Sequence, residues 1–138
     1  LASLQCLSSE SASMRPRYAD LFRRMGDPDP IERDAAFDAV LFDRGEALPD
    51  LISAYQAFSK DTLRRFYAVQ LMGFSGAKTA IPPLVDALQD PEALVRAEAC
   101  RSLEDLRART ALPQLRARLD DMAAEVRMAA REAIACLS

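Results

Sequence analysis

Residues 77–137 read AKTAIPPLVDALQDPEALVRAEACRSLEDLRARTALPQLRARLDDMAAEVRMAAREAIACL, and the stretch contains one pattern twice. Pro82 and Pro113 are each followed by apolar residues two and six positions on, Leu84 and Leu88, then Leu115 and Leu119. An aspartate comes next (Asp90, Asp121), and a second apolar series starts at Val95 and Val126. That series continues at Ala99, Leu103 and Leu106, and at Ala130, Ile134 and Leu137. Positions two and six lie four apart, hence on one helical face, and offsets of 0, +4, +8 and +11 trace an amphipathic helical stripe. Each unit therefore reads as two helices joined by a short turn.

Working upstream, the same pattern recurs twice more. The prolines fall at 16, 49, 82 and 113, spaced 33, 33 and 31 apart. Tyr18 and Phe22, then Leu51 and Tyr55, stand where the later units have leucine. Ile31 and Leu63 take the place of Val95 and Val126, giving spacings of 32, 32 and 31, with Ala35, Ala39, Phe42 and Tyr67, Leu71, Phe74 completing the stripes. Proline is tolerated in the first turn of a helix because its missing N–H has no partner there. Turn signals separate the halves, and Asp29 and Asp61 fit the N-cap role. The spacing predicts helices over 16–26, 29–43, 47–58, 61–74, 78–89, 92–107, 110–119 and 122–137. One hairpin cannot bury both apolar faces, so each must cover the next. The expected fold is all-α: an α–α superhelix of four antiparallel two-helix repeats, 16–45, 46–76, 77–107 and 108–138, behind an N-terminal extension, 1–15.

The residues Pro82, Leu84, Leu88, Asp90, Val95, Arg96, Ala99 and Leu103, with their counterparts from Pro113 to Ile134, resemble HEAT-like repeats. More narrowly they resemble the short repeats named after phycobilisome lyases. The resemblance implies a structural ladder in which turn aspartates and early helix arginines link successive units: Asp90, Arg96, Asp121 and Arg127. An arginine fork can hold several turn carboxylates or carbonyls at once. The ladder is expected to fail upstream, where the equivalent pairs are Phe58/Arg64 and Gly26/Glu32.

Composition narrows the function. The net charge is -3, with no histidine and no tryptophan. A negative balance argues against a nucleic-acid surface, and so against the DNA glycosylases that this family resembles in part. Without histidine there is no Ser/His/Asp or Cys/His catalytic set and no His-Glu iron site of the deoxyhypusine hydroxylase kind. Cys6, Cys100 and Cys136 lack metal-binding spacing and fit small buried hydrophobes in a reducing, cytoplasmic compartment. No apolar run approaches the roughly 20 residues of a membrane span. The expectation is a non-enzymatic protein-binding or scaffolding module with no cofactor and no membrane. A bilin lyase-related chromophore-binding protein is the alternative, and a HEAT-like DNA-binding or glycosylase relative a more distant one.

A solenoid presents its second helices as an extended surface suited to a helix or peptide. Positions +2, +6 and +9 of those helices point to Arg33, Phe37, Val40, Arg65, Val69, Met72 and Arg101 as partner-binding residues, with Phe66 added as an aromatic at +3. The partner is expected to be a protein or peptide. The last helix has no obvious polar cap, which makes a homodimer through the terminal repeat a candidate assembly.

Overall fold

The computed structural model describes residues 14–138, and among these it contains helices and turns and no strand. Eight α-helices follow one another: α1 Pro16–Arg24, α2 Pro30–Asp43, α3 Leu48–Ala57, α4 Thr62–Phe74, α5 Ile81–Ala87, α6 Ala93–Asp105, α7 Leu112–Ala117 and α8 Ala124–Leu137. Odd and even helices alternate as the two halves of four successive hairpins, an all-α solenoid. Among the described residues, no helix is long and apolar enough to cross a membrane.

The helix starts follow from local chemistry. Proline stands in the first two positions of α1, α2, α3, α5 and α7. Asp29 caps α2 by accepting from the Ile31 N–H, and Asp61 caps α4 by accepting from the Arg64 N–H, both at 3.0 Å. After α2, α4 and α6 the chain reverses through a residue of positive φ at one repeated place, Arg44 (49°), Gly76 (71°) and Arg107 (56°). Only Gly76 adopts that conformation without steric cost.

One continuous core runs through the stack. The odd helices contribute Phe22, Leu51, Leu84 and Leu115, all fully buried. The even helices contribute Ala36 and Val40, Ala68 and Met72, Ala99 and Leu103, and Ala130. These pairs reveal a register different from the expected one. In repeats three and four the core positions are those of the sequence stripe. In repeats one and two they lie one residue later, and the expected anchors Ile31 (76% exposed), Phe42 (86%), Leu63 and Phe74 face solvent. One residue of slip turns a helix by about 100°, enough to exchange its core and surface faces.

The boundary at residue 15 also moves. Met14 is buried, and Arg15 is tied to the second repeat through Asp50, whose Oδ1 accepts from the Arg15 N–H at 2.7 Å. Oδ2 of the same aspartate accepts from Arg15 Nε at 3.0 Å and Nη2 at 2.7 Å. Both residues belong to the first repeat. Residues 1–13 of the expected extension, with Cys6, lie outside the described residues.

Candidate partner-binding groove

The register is marked by one arginine per repeat, four positions into each even helix: Arg33, Arg65, Arg96 and Arg127, spaced 32, 31 and 31 apart. In every repeat its Nη1 donates to two carbonyl oxygens of the preceding turn. Arg33 reaches Asp27 O at 2.9 Å and Pro28 O at 3.1 Å. Arg65 reaches Phe58 O (3.1 Å) and Ser59 O (2.8 Å), and Arg96 reaches Asp90 O (2.8 Å) and Pro91 O (3.1 Å). Arg127 reaches Asp121 O (2.7 Å) and Met122 O (3.1 Å). The clamp closes each hairpin and aims the other edge of the guanidinium at the next repeat.

What that edge finds differs along the stack. Arg65 donates through Nε and Nη2 to Oδ2 and Oδ1 of Asp90, at 3.0 and 3.2 Å. Arg96 holds Asp121 in the same way, both bonds at 3.0 Å. Asp90 also accepts from Tyr55 Oη at 2.6 Å and from the Glu92 N–H at 2.9 Å. Burial alone would raise the Asp90 carboxyl, but these donors together hold it below the usual carboxylate range. The Asp121 carboxyl is lowered chiefly by Arg96, against burial. Tyr55 is pushed up, by burial and then by the hydrogen bond it donates to Asp90.

The ladder position in repeat two is thus Arg65, not Arg64, and it has its acid. Arg65 is only 5% exposed and cannot meet a partner while it serves Asp90. Arg64 does a different job. Its Nε and Nη2 donate to Phe22 O (2.8 Å) and Arg23 O (3.0 Å) of the first repeat, and it ion-pairs with Asp61. Its guanidinium covers the Phe58 ring at 5.3 Å, and Phe58 stacks on Phe22 with centroids 5.9 Å apart. Gly26 leaves the room, since a Cβ there would fall 2.0 Å from Arg64 Nη2. Repeats one and two are therefore joined by aromatic stacking, Arg64 and the Arg15–Asp50 pair rather than by a rung between their even helices.

Arg33 makes no ion pair among the described residues. It stands where Arg65 and Arg96 stand, but repeat two offers Phe58 and Ser59 where the later repeats carry Asp90 and Asp121. The even helices reflect this. α4 packs broadly along α6, and α6 along α8, whereas α2 touches α4 far less. Between α2 and α4 lies a cleft of about 210 Å³ lined by Arg33, Asp34, Phe37, Tyr67 and Gln70. Toward the far end of both helices a second cleft, about 290 Å³, is lined by Leu41, Arg44 and Phe74. Phe37 and Phe66 each meet the Tyr67 ring edge-on, at 5.7 and 6.0 Å between centroids, so the groove floor is aromatic.

Of the residues expected to bind a partner, Val40, Val69 and Met72 are core, because the one-residue slip carries +2, +6 and +9 inward. Phe37 is half-buried and lines the groove with Arg33, while Phe66 is half-buried against Tyr67 and outside the cleft lining. Arg101 lies on the surface of α6, apart from the groove, paired with Glu98 at 3.2 Å. The residues missed are Ile31, Phe42, Leu63 and Phe74. The two on each helix are 11 apart, three turns, so both project on one side. The arginine spacing held the signal that would have found them; the apolar spacing pointed elsewhere.

HEAT repeats match residues 48–135 as a family pattern. No curated protein sequence matches. Among solved structures, the complex of CpcE and CpcF of phycocyanin lyase from Nostoc sp. PCC7120 superposes with a TM-score of 0.50 at 20% identity. The match covers 86% of this chain and 64% of that one, so this chain spans under two thirds of its neighbour's length. The finding corrects one expectation. The absence of enzymatic activity was inferred from a solenoid without a catalytic motif, and the same stack occurs in the complex of a lyase. The fold similarity and the pattern match agree with the repeated arginine clamp, and the chain belongs to the HEAT-repeat family.

Proposed function

We propose that this chain is a protein-binding HEAT-repeat module that seats a partner segment along the α2–α4 groove of its first two repeats. The observation that carries the reading is the pair of clefts between α2 and α4, lined by Phe37, Leu41, Tyr67 and Phe74, with Ile31, Phe42 and Leu63 exposed elsewhere on the same two helices. Single exposed apolar residues are ordinary, but a periodic set beside aromatic-floored clefts is the surface an interaction site presents. The exposed face of α6 and α8 carries Leu94 and Met128 among the charged Arg101, Asp105, Glu125 and Glu132.

The test replaces surface rather than core. Phe42→Asp with Phe74→Asp should leave the helical circular dichroism and the melting temperature of the chain nearly unchanged. Proteins captured from the native source by the original chain should be lost to the double variant. Undiminished capture by the variant overturns the groove as the site.

A second reading is favoured by the structural similarity over 86% of the chain: a role related to phycocyanin lyase, acting on a bilin and its acceptor protein. Mixing the chain with free bilin and recording absorbance separates the two. A spectral shift supports the lyase-related role, and an unchanged spectrum with retained protein capture supports the binding module alone.

A further inference from the structure

The groove has a chemical preference that its apolar walls do not explain. We infer that Arg33 is a preformed receptor for a single carboxylate, taking an aspartate or glutamate side chain borne by an apolar segment of the partner protein. This rests on the α2–α4 groove being the partner site.

Internal repetition carries the inference. Arg33 Nη1 clamps its own turn at 2.9 and 3.1 Å, matching Arg96 at 2.8 and 3.1 Å, so the guanidinium is held as its counterparts are. In Arg65 and Arg96 the remaining Nε and Nη2 grip a carboxylate bidentately. In Arg33 the same pair of donors has no acid among the described residues, and the side chain lines a cleft of about 210 Å³. The molecule thus shows twice what this fork binds and leaves it unfilled at Arg33, beside a cleft between two even helices, and at Arg127, in the last described repeat. Bidentate arginine–carboxylate bonds are directional as well as strong, so the fork sets the register of an incoming segment, not merely its charge.

The cleft also says which anion. Asp34 shares the lining with Arg33. One guanidinium beside one carboxylate leaves no positive excess for a dianionic phosphate, whereas a singly charged carboxylate needs the fork alone. The aromatic floor of Phe37 and Tyr67 favours apolar neighbours around that acid.

Selection of random twelve-residue peptides on the full chain tests this without naming a partner in advance. The expected result is enrichment of peptides with one Asp or Glu amid apolar residues. Their affinity should fall roughly tenfold to a hundredfold against Arg33→Gln, and by a similar factor when the peptide acid is replaced by its amide. Arg33→Lys should lose nearly as much, because it keeps the charge but not the fork. Circular dichroism and melting of both variants show that the fold persists. Enriched peptides that lack an acid and bind Arg33→Gln equally well overturn the carboxylate receptor while leaving the groove intact. Failure to enrich any peptide that competes at Phe42 and Phe74 removes the groove and the receptor together.

Discussion

At the junction of repeats three and four, Arg96 clamps its own turn and then grips Asp121 of the next; at the junction of one and two, Arg33 clamps its own turn and stops. Upstream, Phe22, Phe58 and Arg64 take over the joining, and they do so at the turns, leaving α2 and α4 apart. Downstream, the rung pulls the even helices side by side and the surface above them is charged. An arginine clamp is thus used throughout to build hairpins, while the acid that stacks them closely is present only where the even helices pack along one another. The small difference between a serine or phenylalanine and an aspartate in one turn separates a structural joint from a surface with an unsatisfied preference.

The contrast can be broken most severely at Arg65. Arg65→Met leaves Asp90 buried without its counter-charge, and such a loss costs about 3–5 kcal/mol, while Arg33→Met removes only its turn bonds and should cost about 1 kcal/mol. Urea denaturation of the two variants measures both. Equal losses would mean that Arg33 is as deeply engaged as Arg65.

Next in size is Gly73→Ala. A Cβ at Gly73 would lie 2.6 Å from Ser102 Oγ and 2.8 Å from its Cα, where α4 and α6 pack against each other. Backbone must move, at about 1–3 kcal/mol of overpacking. Gly45→Ala, beside α2, meets nothing nearer than 3.5 Å and should stay within about 0.5 kcal/mol of the original. Thermal melts of the pair compare tight and open regions directly.

The mildest probe is acid. Asp90 and Asp121 titrate below the ordinary carboxylate value of 3.8, so the folded chain binds fewer protons than the unfolded one in that range. Their contribution is complete above the ordinary range and is lost as the pH falls through the lowered folded values. Glu98, raised by burial, pulls in the opposite direction. Melting temperatures from pH 7 to pH 3 should therefore fall less for Asp121→Asn than for the original chain. An identical slope would mean that the rung does not feel the proton.

Much of the architecture was legible in the chain itself. The prolines, the Asp29 and Asp61 caps and the period near 32 residues announced paired helices, because these are local properties that each segment carries wherever it packs. The groove was not legible from the apolar pattern. Ile31 and Leu63 mimic Val95 and Val126 in sequence, yet the counterparts of those valines are Glu32 and Arg64. Apolar residues at a binding face and at a core follow the same helical period, so periodicity cannot tell which is which.

The residues alone determined that this chain is a row of helical hairpins, four among the described residues, since turn chemistry and amphipathic period act over a few positions. Tertiary packing decided which side of α2 and α4 is dry, because a single residue of offset rotates a helix by about 100°. It also decided which arginine is satisfied, because the carboxylates that fill Arg65 and Arg96 arrive from 25 residues away, and only the stacked chain brings them there.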